Sequence, residues 1–302
     1  MRQIVIALMT AGLSAAIAGC GGNAQGSGQL SVAVADAPVD GATAVVVKFS
    51  GVEIKARDEA PVTYDFATPR TVDLLATAGG QAFVLIDDEE VPSGDYEYIR
   101  LKVISDRDTA DSYIDLEDGS RANLFVPSGS QSGLKLNGGL AVPDGGVRSV
   151  VVDFDLRHSI VKPEGQAAYT LKPVLRLVDA EQIGLVRGSV DASRLSASGC
   201  TGDINTGAGN AVYIYTGTVA TPGDAGGSGA PLVSGTLHYD TVLDEYRYVV
   251  AYLPAGTYTA AFSCQAGDDQ PETDEAIAFS APITFTVVAG QTTTVDFAAA
   301  GG

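Results

Sequence analysis

Apolar residues in this chain recur at every second position over many short stretches, and no stretch keeps an apolar stripe of helical period over three turns. In Glu97-Tyr98-Ile99-Arg100-Leu101-Lys102-Val103 the apolar set Ile99, Leu101 and Val103 falls on one face and the polar set on the other. Val150, Val152, Phe154 and Leu156 alternate with Val151, Asp153 and Asp155, and Leu171, Pro173, Leu175 and Leu177 alternate with Lys172, Val174 and Arg176. Ala44 to Ile54 reads as a strand kinked at Gly51. Shorter strands follow at Gly184 to Asp191, Ala211 to Tyr215, Val233 to Tyr239, Tyr246 to Leu253, Thr257 to Cys264, Pro282 to Val288 and Thr292 to Phe297. Such half-buried strands, separated by Gly and Pro turns, predict an all-β chain of two consecutive antiparallel β-sandwich domains, meeting near Gly184 without a linker. The Gly/Ala-rich segment Thr216 to Pro231 reads as a long mobile loop. One turn occurs twice: Val91-Pro92-Ser93-Gly94-Asp95-Tyr96 and Leu253-Pro254-Ala255-Gly256-Thr257-Tyr258 both place Pro-x-Gly before an aromatic.

The N-terminus has a different logic. Arg2 precedes a mostly apolar run of 14 residues, Ile4 to Ile17. A helix crossing the hydrocarbon core needs about 20 residues, so the segment reads as an export signal removed from the mature chain. Ile17-Ala18-Gly19-Cys20 resembles the lipobox of bacterial lipoproteins, which implies a diacylated Cys20 and a membrane anchor of two or three acyl chains. Residues 1–19 are then the signal peptide and residues 20–27 the lipidated cysteine with a flexible tether. The predicted sandwiches occupy 28–183 and 184–302. Gly21 stands where the enterobacterial sorting rule places an Asp to retain lipoproteins at the inner membrane, so resemblance points to the outer membrane, with the body facing the periplasm or the cell exterior.

Export fixes the reading of the cysteines. With Cys20 acylated, Cys200 and Cys264 remain, and an oxidising compartment lets them pair as a disulfide. Loss of the signal removes only Arg2 of the 18 basic residues, so the mature chain sets 17 against 37 acidic groups and carries a formal charge of about −20. That charge argues against nucleic acid and anionic headgroups as partners.

Seven separated blocks carry a family likeness. They are Val34-Ala35-Asp36-Ala37-Pro38-Val39-Asp40, Gly51-Val52-Glu53-Ile54, Thr71-Val72-Asp73-Leu74-Leu75, Gly94-Asp95-Tyr96 with Ile99-Arg100-Leu101, Val126 to Leu136, Asp153-Phe154-Asp155-Leu156 and Leu171 to Arg176. In this order, over about residues 28 to 180, they resemble domain-of-unknown-function family 4382, found largely in bacterial lipoproteins. The resemblance implies no activity. Gly188-Ser189-Val190, the Pro254 turn and Val288-Ala289-Gly290-Gln291-Thr292 more loosely resemble transthyretin-like or carboxypeptidase-regulatory-like sandwiches.

The residues offer little for catalysis. His158 and His238 are the only histidines and read as a strand-end residue and a surface or core residue. Gly129-Ser130-Gln131-Ser132-Gly133 puts Gln131 where a nucleophile elbow needs serine. Asp153 and Asp155 read as partners of Lys172 or Arg176 across a strand pair. Residues 185 to 302 contain no lysine, so a Lys-derived isopeptide lock is impossible there. Oxygen ligands for calcium are candidates at Asp106, Asp108, Asp111 and Glu117, although Asp111 stands where a helix-flanked calcium loop needs glycine. Asp87, Asp88, Glu89 and Glu90 form a second acidic run. The polar loop residues Ser128, Ser130, Gln131 and Ser132, with Lys135, are the candidate binding residues. The expected function is a non-catalytic, membrane-anchored binding, adhesion or envelope-structural module whose partner is an envelope protein or a glycan. The alternatives are a calcium-dependent glycan binder and an extracytoplasmic hydrolase; no other cofactor is expected.

Overall fold

The computed structural model describes residues 26–36, 41–106, 109–127, 133–163, 165–172 and 174–299. In the first half the strands are β1 (Ser27–Asp36), β2 (Ala42–Ala56), β3 (Val62–Asp73), β4 (Phe83–Pro92), β5 (Gly94–Ile104), β6 (Tyr113–Leu116), β7 (Arg121–Phe125), β8 (Leu134–Val142), β9 (Val147–Phe154), β10 (Ile160–Val161), β11 (Tyr169–Leu171) and β12 (Leu175–Asp179). The second half contributes β13 (Ile183–Val190), β14 (Ala211–Thr216), β15 (Val233–Thr236), β16 (His238–Asp240), β17 (Glu245–Pro254), β18 (Gly256–Ser263), β19 (Ile283–Val287) and β20 (Thr292–Thr294). All-β architecture is thus what the alternation foretold.

Sheet order is β12-β9-β1-β4 against β10-β11-β7-β6-β2-β5-β8 in the first body, with β3 on the flank of β2. In the second body β16-β17-β13-β20 faces β15-β14-β18-β19. One core joins each pair of sheets. Leu30, Val32, Val150 and Val152 of one sheet pack with Phe49, Ile54, Ile99 and Leu101 of the other. Val186, Tyr248 and Val250 pack likewise with Val212, Ile214, Ala260 and Phe262. Each core buries about 1.5 to 3 kcal/mol of transfer free energy per large side chain.

The sheets are not purely antiparallel as expected. β1 runs parallel to β9, β11 to β7 and β13 to β20. Period-two patterning fixes which face a residue takes and says nothing of which distant strand lies beside it. The predicted run from Leu171 to Leu177 also splits: β11 and β12 belong to different sheets. Gly51 kinks β2 as expected: the register shifts between Phe49 and Gly51 against both β3 and β5, and a Cβ there would meet the Tyr64 carbonyl at 2.6 Å.

The repeated turn has one stereochemistry. Tyr96 donates its hydroxyl to the Pro92 carbonyl at 2.6 Å, and Tyr258 donates to the Pro254 carbonyl at 2.8 Å. Each ring thereby clamps the turn by which the chain crosses from one sheet to the other, β4 to β5 and β17 to β18, in the manner of a tyrosine corner. Burial pushes the Tyr96 hydroxyl up to about 12.

Candidate functional site

Cys200 and Cys264 form the expected disulfide, with Cα atoms 5.0 Å apart. Cys20, Asp108, Ser128, Ser130, Gln131 and Ser132 lie outside the described residues. Lys135 is exposed on half-buried β8 with its ammonium 4.2 Å from the centre of the Tyr98 ring, a packing contact on the sheet surface.

Of the carboxylates nominated for calcium, Asp111 is engaged by a cation of its own chain. Asp111 pairs with Lys48 at 2.8 Å, which holds its carboxyl below the usual range. In the same stretch Asp115 binds Arg121 through both oxygens at 2.6 and 2.8 Å, and Asp118 accepts the Ser120 amide and hydroxyl. Asp106 and Glu117 are both exposed, and neither joins a cluster of three possible ligands among the described residues. Opposite charges and a turn amide thus account for Asp111, Asp115 and Asp118. In the other run, Ser31 bonds Asp87 and Asp88 across the β1–β4 pair.

The carboxylates that do converge are Asp224, Asp269 and Glu275, with oxygens within 4.8 Å of one another. Their own chain supplies donors. Asp269 accepts the Tyr213 hydroxyl at 2.6 Å and the Ala225 amide at 3.0 Å. Asp224 accepts the Glu275 amide at 2.8 Å, and Glu275 accepts the Gln270 amide at 3.2 Å and the Thr273 hydroxyl. This clasp ties the Gly/Ala-rich loop down, with further bonds from Tyr215 to the Gly223 carbonyl and from the Val219 amide to Thr259. The loop expected to be mobile is therefore anchored, with Asp224 and Ala225 buried. An Asp alone among Gly and Ala was the signal available in the sequence.

A second polar cluster lies where the two bodies meet. Asp153 is 3% exposed on β9 and ion-paired with Arg176 of β12, as the strand pairing suggested; Lys172 instead reaches Glu272 at 2.8 Å across the seam. Burial raises the Asp153 carboxyl to about 6, against the lowering influence of Arg176 and with a further push from Asp155. His158 Nδ1 lies 2.7 Å from Asp155, the strand-end contact expected of it. Arg157 donates to the Ala266 carbonyl and to Ser234 Oγ of the second body, with its guanidinium over the Tyr213 ring. From the second body Tyr252, at φ +57°, inserts among Ala35, Val151 and Val178 of the first. The family-like blocks around Asp36, Asp153 and Arg176 thus build the seam.

At the other end of β13, about 20 Å along the strand from the seam, the second body opens into a cleft of about 520 Å³. Buried Val190, Tyr246 and Phe297 line it, together with half-buried Tyr239 and exposed Asp191, Asp244, Glu245 and Asp296. The Tyr239 and Tyr246 rings lie 5.0 Å apart at 50°. Their hydroxyls are fixed, Tyr239 donating to Asp244 and Tyr246 to the Ile204 carbonyl. The bond to Asp244, followed by burial, raises the Tyr239 hydroxyl. Asp296 accepts the Ser189 amide at 2.8 Å and its hydroxyl at 3.2 Å. Asp191 accepts the Ser193 hydroxyl and amide, which hold its carboxyl below the usual range. The arrangement presents ring faces and oriented carboxylates on a rigid frame, which suits recognition. Sequence reasoning missed it because its parts come from four separated segments.

Residues 27–173 match the family model described as a domain of unknown function (DUF4382), so the N-terminal half carries the domain that its sequence blocks resemble. No curated protein matches the chain. Among solved structures, a leucine-rich repeat protein from Bacteroides thetaiotaomicron shares 14% identity at a TM-score of 0.23, over 89% of this chain and 26% of its own. The minor pilin GBS52 of Streptococcus agalactiae shares 9% at 0.19, over 88% and 94%, and the major pilin subunit BcpA of Bacillus cereus 12% at 0.20, over 90% and 69%. Scores this low carry no argument about function.

Proposed function

We propose that this chain is an extracytoplasmic lipoprotein, held to the bacterial envelope through an acylated Cys20, that acts as a non-catalytic binding or adhesion module. The observation that carries the reading is the cleft of the second body. Its Asp191 carboxyl is stabilised as the anion by Ser193, and its Asp296 oxygen is fixed by Ser189. Both are held in place to orient a ligand, and a carboxylate kept as the anion like Asp191 moves protons poorly near neutral pH. The Cys200–Cys264 disulfide fits an oxidising compartment. The first body, with its unassigned family domain, then serves as the platform between the lipid and the cleft.

The anchor is tested by Cys20→Ser in the native host, followed by membrane fractionation. The wild-type chain is expected in the membrane fraction and the variant in the soluble one. Retention in the membrane fraction of a variant from which residues 1–19 have been cleaved would contradict a lipid anchor at this residue.

A further inference from the structure

The chemistry of the cleft selects among ligands. Val190, Tyr246 and Phe297 make an apolar floor, and Asp244, Glu245 and Asp296 stand exposed at its rim. Glu245 already has a cation, Arg247, at 3.5 Å. Asp191 lies in the field of Arg194, whose Nε is engaged by the Ala298 carbonyl. Asp244 and Asp296 have no ion-pair partner among the described residues. Each also keeps one carboxylate oxygen outside the bonds that fix it, because Tyr239 and Ser189 take only Oδ1. Tyrosine ring faces beside uncompensated carboxylates attract a cation by the ring quadrupole and by direct charge pairing, and they repel anions. The volume of about 520 Å³ suits a monosaccharide or a short diamine.

We propose that the cleft binds a small organic primary ammonium, its charge paired with Asp244 and Asp296 and its carbon frame laid on Tyr239 and Tyr246. The assignment rests on the reading of this cleft as the binding site. Two sources share the chemistry, an amino sugar and an aliphatic amine, and the probes separate them.

The test is calorimetric titration of the full-length protein in detergent micelles with glucosamine, 1,5-diaminopentane and N-acetylglucosamine. At least one of the two amines is expected to bind, the tighter one naming the source, with N-acetylglucosamine at least tenfold weaker. Binding should weaken as salt is raised, and Asp244→Asn with Asp296→Asn should weaken it tenfold or more while leaving the thermal melt unchanged. If N-acetylglucosamine binds as well as glucosamine and Tyr239→Leu weakens both, the cleft is a binding site and the ammonium assignment is wrong. If no probe binds, the ammonium assignment is likewise overturned. Failure of the cleft reading itself is a different result, the absence of any envelope partner at the cleft in cells.

Discussion

Replacing Cys200 and Cys264 together by alanine is expected to destabilise the second body by about 4 kcal/mol, the chain-entropy value for a closed loop of this size. The bridge spans 64 positions of sequence and joins the irregular segment before β14 to the end of β18. Around it the Thr201 and Gly202 amides donate to the Cys264 carbonyl at 3.1 and 3.0 Å, and Thr201 Oγ1 donates to Asp268 at 2.6 Å. Those bonds are partly exposed and depend on the bridge to hold their geometry. Urea unfolding of the oxidised wild type and the double variant at one pH measures the difference. A loss below about 1 kcal/mol would mean that the unfolded chain is constrained by something else.

The second large effect belongs to the seam. Arg176→Ala leaves the Asp153 carboxylate buried without its cation, a change that costs about 3 to 5 kcal/mol in comparable buried pairs. The same site gives the wild type a pH dependence of definite sign. Burial raises the Asp153 carboxyl from 3.8 to about 6 in the folded protein, so the native state binds this proton more tightly than the unfolded chain. Its contribution to stability is therefore largest in acid and is lost as pH rises through the window from about 4 to about 6, to the extent of about 3 kcal/mol. Asp153→Asn should flatten that segment of the stability profile, and Arg176→Ala should extend it to higher pH. A wild-type profile rising between pH 4 and 6, with Asp153→Asn unchanged from it, would contradict the burial argument.

The strands were legible because period-two burial is a local property, and the positions of β5, β9, β17 and β18 follow from it residue by residue. The Gly51 kink and the two Pro-x-Gly turns were legible for the same reason. What the sequence of the turns hid was the returning hydroxyl of Tyr96 and Tyr258, which needs the folded turn between the sheets to reach its carbonyl. Asp153 and Asp155 read as one strand face paired with Lys172 or Arg176, and what the pattern did not show is that both are buried, because the sheet carries the second body on that side. Tyr252 in left-handed backbone and the clasp of Asp224, Asp269 and Glu275 depend on contacts made far along the chain, and the one local hint of either is Asp224 standing alone among Gly and Ala. The cleft is hidden for the same reason: the end of β13 with the residues after it, β16, the start of β17 and the segment after β20 each lend it one or a few residues.

The central claim is that the anchored chain binds an envelope component through this cleft. Val242, 89% exposed in the turn between Tyr239 and Tyr246, offers a position for a photo-cross-linking residue that leaves the cleft walls intact, and Val62 on β3 of the first body, 43% exposed, offers a control. Irradiation of living cells is expected to capture one reproducible envelope component from position 242 and not from position 62. Equal capture from the two positions, or capture from position 62 alone, would contradict the assignment of binding to the second body.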